Sequence, residues 1–531
     1  MLIGYVSDER YIAQHDVAVL FENEQDYYES RSLANGAIYA DLKPGLYQLT
    51  LRKEGYSSKR VKMTIPPDQP VSLRMLSNKL VGYMWPKCVQ SGEKSEFRVH
   101  ATEAYRIDLY RYGWDKHHVR NIGWFDEHGP LATSQITPDG DYTQTGIKFN
   151  NQGYTNPHHR QHIVAPEQSG LYYLHTKTMS GEFFSFPWIV APAQAQNRVA
   201  VLASNINWNA YNNFGGRSNY IHPRQLPAQP TVNARQDLAR YTSDSHMEFA
   251  YEEYAPLSFD RPEILNHIPE NVIITDPLEG RSECHVLPAE WRLFGWLERE
   301  GFSYDLYSET QFHFGTMDLD NYDILIISTH PEYWSSEMYF QLKEWVVHRK
   351  GKLLYLGGNG LNCAIEFLDP QTMKVRNGAH GGSSSEMARI GKESRFDIYY
   401  ESEANLLGVR CTETGIMTGA PYRVIDDSHW IFSDTGLNNG DLFGERCLHM
   451  RCPGGASGHE TDKRSSSNSP PGTLLLAKGL NPDDGGGEIT YYETESKGAV
   501  FSVGSISYPC SLPVDENISQ ITKNVLEHFL D

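Results

Sequence analysis

At 531 residues, with 39% apolar and 21% charged content, the chain is too long for one hydrophobic core and has the composition of an ordinary soluble globular protein. Its 47 basic and 67 acidic side chains give a net charge of −20, which argues against nucleic acid and anionic membrane as partners, because holding phosphate needs a basic face. Seven cysteines scattered without CxxC spacing read as reduced thiols of a cytoplasmic protein; no stretch approaches the roughly 18 apolar residues of a membrane helix, and MLIGYVSDER is no signal peptide.

Residues 1–77 alternate like short strands, and ANGAIYADLKPGLYQLTLRKEGY (34–56) places two of them around a Lys-Pro-Gly turn. A small β-sandwich resembling the transthyretin-like, carboxypeptidase-regulatory kind is expected. Residues 78–194 are again strand-rich: SEFRVHA, AYRIDLYRYGW, SGLYYLHTK and GEFFSFPWIVA, split by Gly, Pro and Asp, predict an immunoglobulin-like β-sandwich. APAQAQN (191–197) closes this β half.

From Arg198 the periodicity changes. RVAVLAS (198–204) is a strand of the parallel type, and LPAEWRLFGWLEREG (287–301) is a helix that stops at a Gly. SYDLYS, YDILIIS, the helix SSEMYFQLKEWVVHRKG, KLLYLGG, GAVFSVGS and the helix DENISQITKNVLEHF follow. This alternation predicts a doubly wound, mostly parallel α/β domain over 195–531. Within it, 453–487, rich in Gly, Pro and Ser, is expected to be a long polar loop, either a lid or a mobile insertion.

Ligands of such sheets sit beyond the carboxyl ends of the strands. Three of those ends are polar: NINWNAYNNFGGRSNY (205–220), THPEYWS (329–335) and Asn359 in GGNGLN. If their strands are neighbours, Asn205, Asn207, Tyr211, His330, Glu332 and Asn359 face one crevice. Each has a plainer alternative. Tyr211 can pack in a turn, and Glu332 can pair with an Arg or a helix N-terminus. His330 can cap the helix starting near Ser335, and Asn359 can merely tolerate a left-handed backbone.

No G-x-S-x-G or G-x-C-x-G elbow is present; GGASG (454–458) has its serine one place off and Cys363 lies too far into its loop. A P-loop and a G-x-G-x-x-G fingerprint are also missing, which argues against a nucleotide. The remaining oxygen donors suit a hard cation, and a tyrosine-bound one points to ferric iron, since only a strongly charged metal lowers a phenol far enough. His158 and His162 in NPHHRQH read as surface or domain-contact residues, and the adjacent His117 and His118, which point two ways in a strand, are not expected to form a site.

NWNAYNNFGGRSNY, LSFDRP (257–262), WLEREGFSYDLYSE (296–309), STHPEYWS and GASGHETD (455–462) together resemble the large (beta) subunits of N,N-dimethylformamidase. The resemblance implies a glutamine-amidotransferase-like C-terminal domain with a mononuclear iron(III) held by two tyrosines and one glutamate. It places Tyr211 and Glu332 among those ligands and takes the second tyrosine from AYEEYAPLSFDRP, as Tyr251 or Tyr254. Many relatives of the fold carry a tyrosine directly after SFDRP, where this chain has Glu263. Glu460 matches the catalytic glutamate, and His330 and Asn359 match neighbours that orient substrate and water. The implied reaction hydrolyses a small formamide-type amide, with further copies of the chain or a separate small subunit as partner.

Two rival functions make different demands. A cysteine or serine amidotransferase-like hydrolase needs a reactive group such as Cys363, and a multidomain binding or scaffold protein needs no metal at Glu332.

Overall fold

Alternating burial builds the first part of the chain, and strands buried on both faces build the last. The computed structural model describes all residues except 9–10, 57, 76, 78, 102, 126–160, 213, 215–217, 221–228, 233–255, 281–282 and 377–383. Among the described residues no helix is long and apolar enough to cross a membrane.

Strands Tyr27–Arg31, Ala18–Glu22, Gly45–Arg52 and Lys59–Ile65 form an antiparallel sheet in that order, and Ala37–Tyr39, Leu2–Ser7 and Val71–Arg74 form a second. Inward side chains such as Ile3, Val19, Phe21, Leu49 and Ile65 make one core. The strands flanking the Lys-Pro-Gly turn go to different sheets, so that turn joins sheets instead of closing a hairpin.

Next, a three-stranded sheet (His162–Val164, Lys94–His100, Val81–Trp85) and a five-stranded sheet (Lys116–Phe125, Tyr105–Tyr112, Gly170–Thr178, Phe183–Ala191, Cys88–Gln90) share a core around Phe97, Leu109, Phe186 and Trp188. The far face of the larger sheet is covered too. Tyr112, Leu171, Tyr173 and Ile189 pack beside Trp291, whose indole N–H donates to Gly113 O at 2.8 Å. Gly170–Thr178 is accordingly buried almost throughout instead of alternating. His117 and His118 lie exposed on Lys116–Phe125, and His162 is exposed on its strand, while His158 lies outside the described residues.

The C-terminal part centres on a nine-stranded sheet. Its first five strands are parallel, in the order β2 (Asp305–Ser308), β1 (Val199–Ala203), β3 (Ile324–Thr329), β5 (Lys352–Gly357) and β8 (Ala499–Ser502). Alternate residues of these strands enter two cores. Val201, Ile326, Leu354 and Phe501 meet α2 (Leu287–Arg299) and α5 (Glu516–Leu530) on one face. Leu202, Leu325, Tyr355 and Val500 meet α4 (Ser336–His348) on the other. Each such fully buried aliphatic contributes about 1.5–3 kcal/mol.

The other four strands are antiparallel: β7 (Glu488–Glu493), β6 (Leu474–Gly479), Tyr422–Val424 and Leu442–Phe443. The sheet is therefore mixed, not mostly parallel, and 453–487 is not one loop. Ser457–Gly458 and Thr461–Lys463 are short strands and LLLAKG is β6. The Gly, Pro and Ser around these strands mark the turns between them and mask short apolar runs.

Helix α1 (Asn205–Tyr211) follows β1 and is only seven residues long, without a side-chain cap from Ser204. Two buried carboxylates serve its N-terminus. Glu290 of α2 accepts from Ser204 N at 3.1 Å and Trp208 Nε1 at 2.7 Å, and Glu309, the first residue of α3 (Glu309–His313), accepts from Ile206 N at 3.2 Å. At the other end the buried Arg261 guanidinium donates to the carbonyls of Asn209 and Asn212, both at 2.9 Å, and of Phe214 at 3.1 Å. Carboxyl oxygens at the start accept from backbone N–H groups that have no partner within the helix, and positive charge at the end is what the helix dipole favours. Asp260, next to Arg261, is ion-paired with Arg98 and accepts from Tyr83 OH at 2.7 Å, which ties the helix end to the preceding β core.

Burial outweighs the Trp208 and Ser204 hydrogen bonds and pushes Glu290 from its ordinary 4.5 up to about 8. Between those values folding takes up a proton, so stability from this group falls as pH rises through that window. Glu290→Gln stays neutral, and its melting temperature should drop less than the wild type's between about pH 5 and about pH 8. An equal drop in both proteins would show that Glu290 is not the buried titrating group.

Candidate active site

Strand β3 ends on a strained residue. Thr329 has φ 62, the left-handed region that a β-branched side chain rarely enters. That bend turns the chain into His330-Pro331-Glu332 and then β4 (Tyr333–Ser335), and Ser335 Oγ accepts from Met338 N at 3.3 Å to cap α4. The cap is Ser335, not His330, so the histidine is left for the crevice. One strand over, β5 ends at two glycines and Asn359, whose φ is 52. Tyr211 comes from the last residue of α1.

These elements bring five of the expected residues together: Tyr211, His330, Glu332, Asn359 and Glu460. Tyr211 OH donates to Glu332 Oε2 at 2.8 Å. Tyr220 OH lies 3.3 Å from the same oxygen, 2.6 Å from Tyr211 OH and 2.5 Å from Tyr333 OH. On the other side His330 Nε2 sits between two carboxylates, 3.3 Å from Glu332 Oε2 and 3.1 Å from Glu460 Oε2. Asn359 Nδ2 donates to Glu460 Oε2 at 2.7 Å. A carboxylate only accepts, so this bond fixes which end of the Asn359 amide faces Glu460. Its oxygen, Oδ1, is buried and has no hydrogen-bond partner among the described residues. Behind them Asp462 accepts from Asn359 N at 2.8 Å and Tyr355 OH at 2.6 Å.

Tyr251 and Tyr254 lie outside the described residues. Among those described, the second phenol on Glu332 is Tyr220, the last residue of NWNAYNNFGGRSNY. Asn205 and Asn207 turn to structural partners, Thr310 Oγ1 at 2.9 Å and His285 O at 3.3 Å. Glu263 is also structural, ion-paired with Lys87 at 2.6 Å.

Burial, and then the Glu332 charge, pushes the Tyr211 and Tyr220 phenols well above their ordinary value. Burial likewise raises Glu332, against the pull of His330. Glu460 goes the other way: burial opposes it, but the His330 hydrogen bond and charge, with His459 and Asn359, bring it down to about 2. Burial lowers the His330 imidazole, yet Glu460 and Glu332 raise it overall. The Glu460 side is thus an ionised carboxylate beside a donor, and the Glu332 side holds acidic oxygens that lack enough positive charge.

That deficit is what a hard cation would fill, with Glu332 and the two phenols as oxygen ligands. Among the described residues no group of three or more His, Cys, Asp or Glu could hold a metal. The surroundings of Cys363 oppose a thiolate. Its thiol lies 3.5 Å from Glu332 Oε1, and burial raises it despite Arg395 Nη1 at 3.1 Å, the reverse of what makes a thiolate.

Residues 106–522 match the family described as N,N-dimethylformamidase beta subunit-like, C-terminal, and all five residues of the cluster fall inside that span. The chain belongs to this family. Among curated relatives, the N,N-dimethylformamidase beta subunit of Paracoccus aminophilus is 28% identical over 65% of this chain and 50% of its own length, and that of an Alcaligenes species is 27% identical with the same coverage. The chain therefore spans about half the length of these N,N-dimethylformamidase beta subunits. Among solved structures, a β-galactosidase from Rahnella sp. R3 is 12% identical over 46% of this chain and 27% of its own, with a TM-score of 0.25, a likeness that carries no argument.

The crevice depends on a close backbone approach at β5. A Cβ on Gly358 would stand 2.4 Å from Glu460 O and 2.7 Å from Ile506 N, neither of which can rotate away. Gly358→Ala should cost about 1–3 kcal/mol in denaturant unfolding. A cost below about 0.5 kcal/mol would show that the two segments yield freely.

Proposed function

We propose that the chain hydrolyses a small, formamide-type amide to a carboxylate and an amine. The observation that carries this reading is the convergence of Tyr211 and Tyr220 on Glu332 Oε2, with the Glu460–His330–Asn359 cluster directly beside it. Glu332, Tyr211 and a second tyrosine, which is Tyr220 or one of Tyr251 and Tyr254, would hold a mononuclear iron(III). When bound, that ion supplies Lewis acidity toward the amide carbonyl.

The chain's own residues handle the protons. Glu460, ionised, takes a proton from the attacking water and returns it to the leaving nitrogen. His330 supplies an Nε2 hydrogen where negative charge develops on oxygen, and the Asn359 amide holds Glu460 in line. Water adds across the C–N bond with no change in oxidation state.

In this reading residues 195–531 form a glutamine-amidotransferase-like, doubly wound domain behind two β-sandwiches at 1–77 and 78–194. The beta-subunit name of the curated relatives supports a partner, either a small subunit or further copies of this chain.

Metal analysis and visible absorption of the purified protein test the reading. About one iron per chain is expected, with a phenolate-to-iron band that Tyr211→Phe removes. Tyr220→Phe weakens the band if Tyr220 is the second ligand and leaves it if that ligand is Tyr251 or Tyr254. Glu460→Gln should keep iron and band while kcat falls about 10²–10⁴-fold. A folded protein with neither iron nor band, unaffected by Tyr211→Phe, would overturn the reading.

A further inference from the structure

One ring against the cluster has no part in the chemistry above. His285, at the end of the short turn Glu283–His285 ahead of α2, is buried. Its Nδ1 stands 3.2 Å from His330 Nδ1. Its ring meets Tyr211 edge-on with 4.4 Å between centroids, and Asn207 holds its backbone carbonyl. His285 therefore touches both the phenol side and the proton-handling side of the crevice.

His330 Nε2 lies 3.1 Å from the ionised Glu460 and 3.3 Å from both Glu332 Oε2 and the Asn359 amide nitrogen, which already donates to Glu460; the shorter contact, to a carboxylate that only accepts, calls for a hydrogen on Nε2. A hydrogen fixed on Nε2 leaves Nδ1 in need of a partner of its own, because the group on one ring nitrogen selects the tautomer at the other. An imidazole meets that need in either state. It donates to a bare Nδ1 and accepts from a protonated one.

We propose that His285 is a positioning residue that holds the His330 ring with an Nε2 hydrogen aimed between Glu332 and Glu460. Its effect on turnover rests on the amide-hydrolase reading, whereas its effect on the His330 tautomer does not.

The test uses His285→Phe, which keeps an edge-on ring against Tyr211 but has no nitrogen, and His285→Asn, which keeps a polar partner. 15N spectra of histidine-labelled protein, stripped of paramagnetic metal by chelation and recorded alkaline of the His330 titration, report which ring nitrogen carries the hydrogen; His330→Gln assigns the signals. Wild type should show His330 protonated at Nε2, and His285→Phe should move its two 15N shifts toward each other as the tautomers mix. In the iron-loaded protein kcat should fall about 10–100-fold in His285→Phe with KM little changed, and His285→Asn should recover much of both properties. Unchanged His330 shifts in folded His285→Phe, or equal losses of kcat in both variants with the tautomer intact, would overturn the proposal. Wild-type protein without amidase activity but with the expected tautomer shift in His285→Phe would sink the hydrolase reading and leave the assignment of His285 standing.

Discussion

Three groups meet at one atom, Oε2 of Glu332: the phenols of Tyr211 and Tyr220 and the imidazole of His330. A carboxylate taken out of water costs several kcal/mol unless something replaces its hydration, and here phenol and imidazole hydrogens replace only part of it, since burial still raises Glu332. The apolar packing on both faces of β3 and β5 is the other half of the arrangement, because it fixes where the strand ends point. Local strain at Thr329 and the bare glycines before Asn359 belong to the same constraint, since they set the chain's exit from each strand.

How much of this was legible in the sequence follows from how far each signal reaches. β1, β3, β5 and helices α2, α4 and α5 are local patterns, continuous apolar runs or amphipathic periods, and they lie where those patterns place them. His330, Glu332 and Asn359 stand out because polar groups follow buried strands without an intervening turn. Glu460 does not: its surroundings look like solvent-exposed loop, and only the GASGHETD resemblance singles it out. Tyr220 is one tyrosine among 32, and nothing in its neighbours tells a phenol that meets Glu332 from one that packs. The residues that hold α1, Glu290, Glu309 and Arg261, are silent in sequence, because their partners are contributed by other segments. The antiparallel half of the sheet was hidden for a different reason, its strands being short and interrupted by turn residues.

The family match begins at residue 106, inside Tyr105–Tyr112, and so takes in most of the five-stranded sheet together with the mixed sheet. Packing accounts for this. The same tyrosines that form one face of the β part, Tyr112 and Tyr173, are core residues of the α/β part, and Asp260 with Arg98 links the SFDRP segment to the smaller sheet. A β-sandwich that shares its buried face with the neighbouring layer is scaffold for the crevice as much as a separate module.

The seven residues of α1 carry one more consequence, for the order in which the molecule comes together. A helix so short does not nucleate on its own. Its supporting carboxylates arrive 82 and 103 positions later in the chain, measured from Trp208 to Glu290 and from Ile206 to Glu309. Contacts between segments so distant must close long loops, and they form slowly. The place of Tyr211 at Glu332 therefore depends on segments far from α1 in the chain, so a change that loosens α2 or α3 reaches the crevice without touching it.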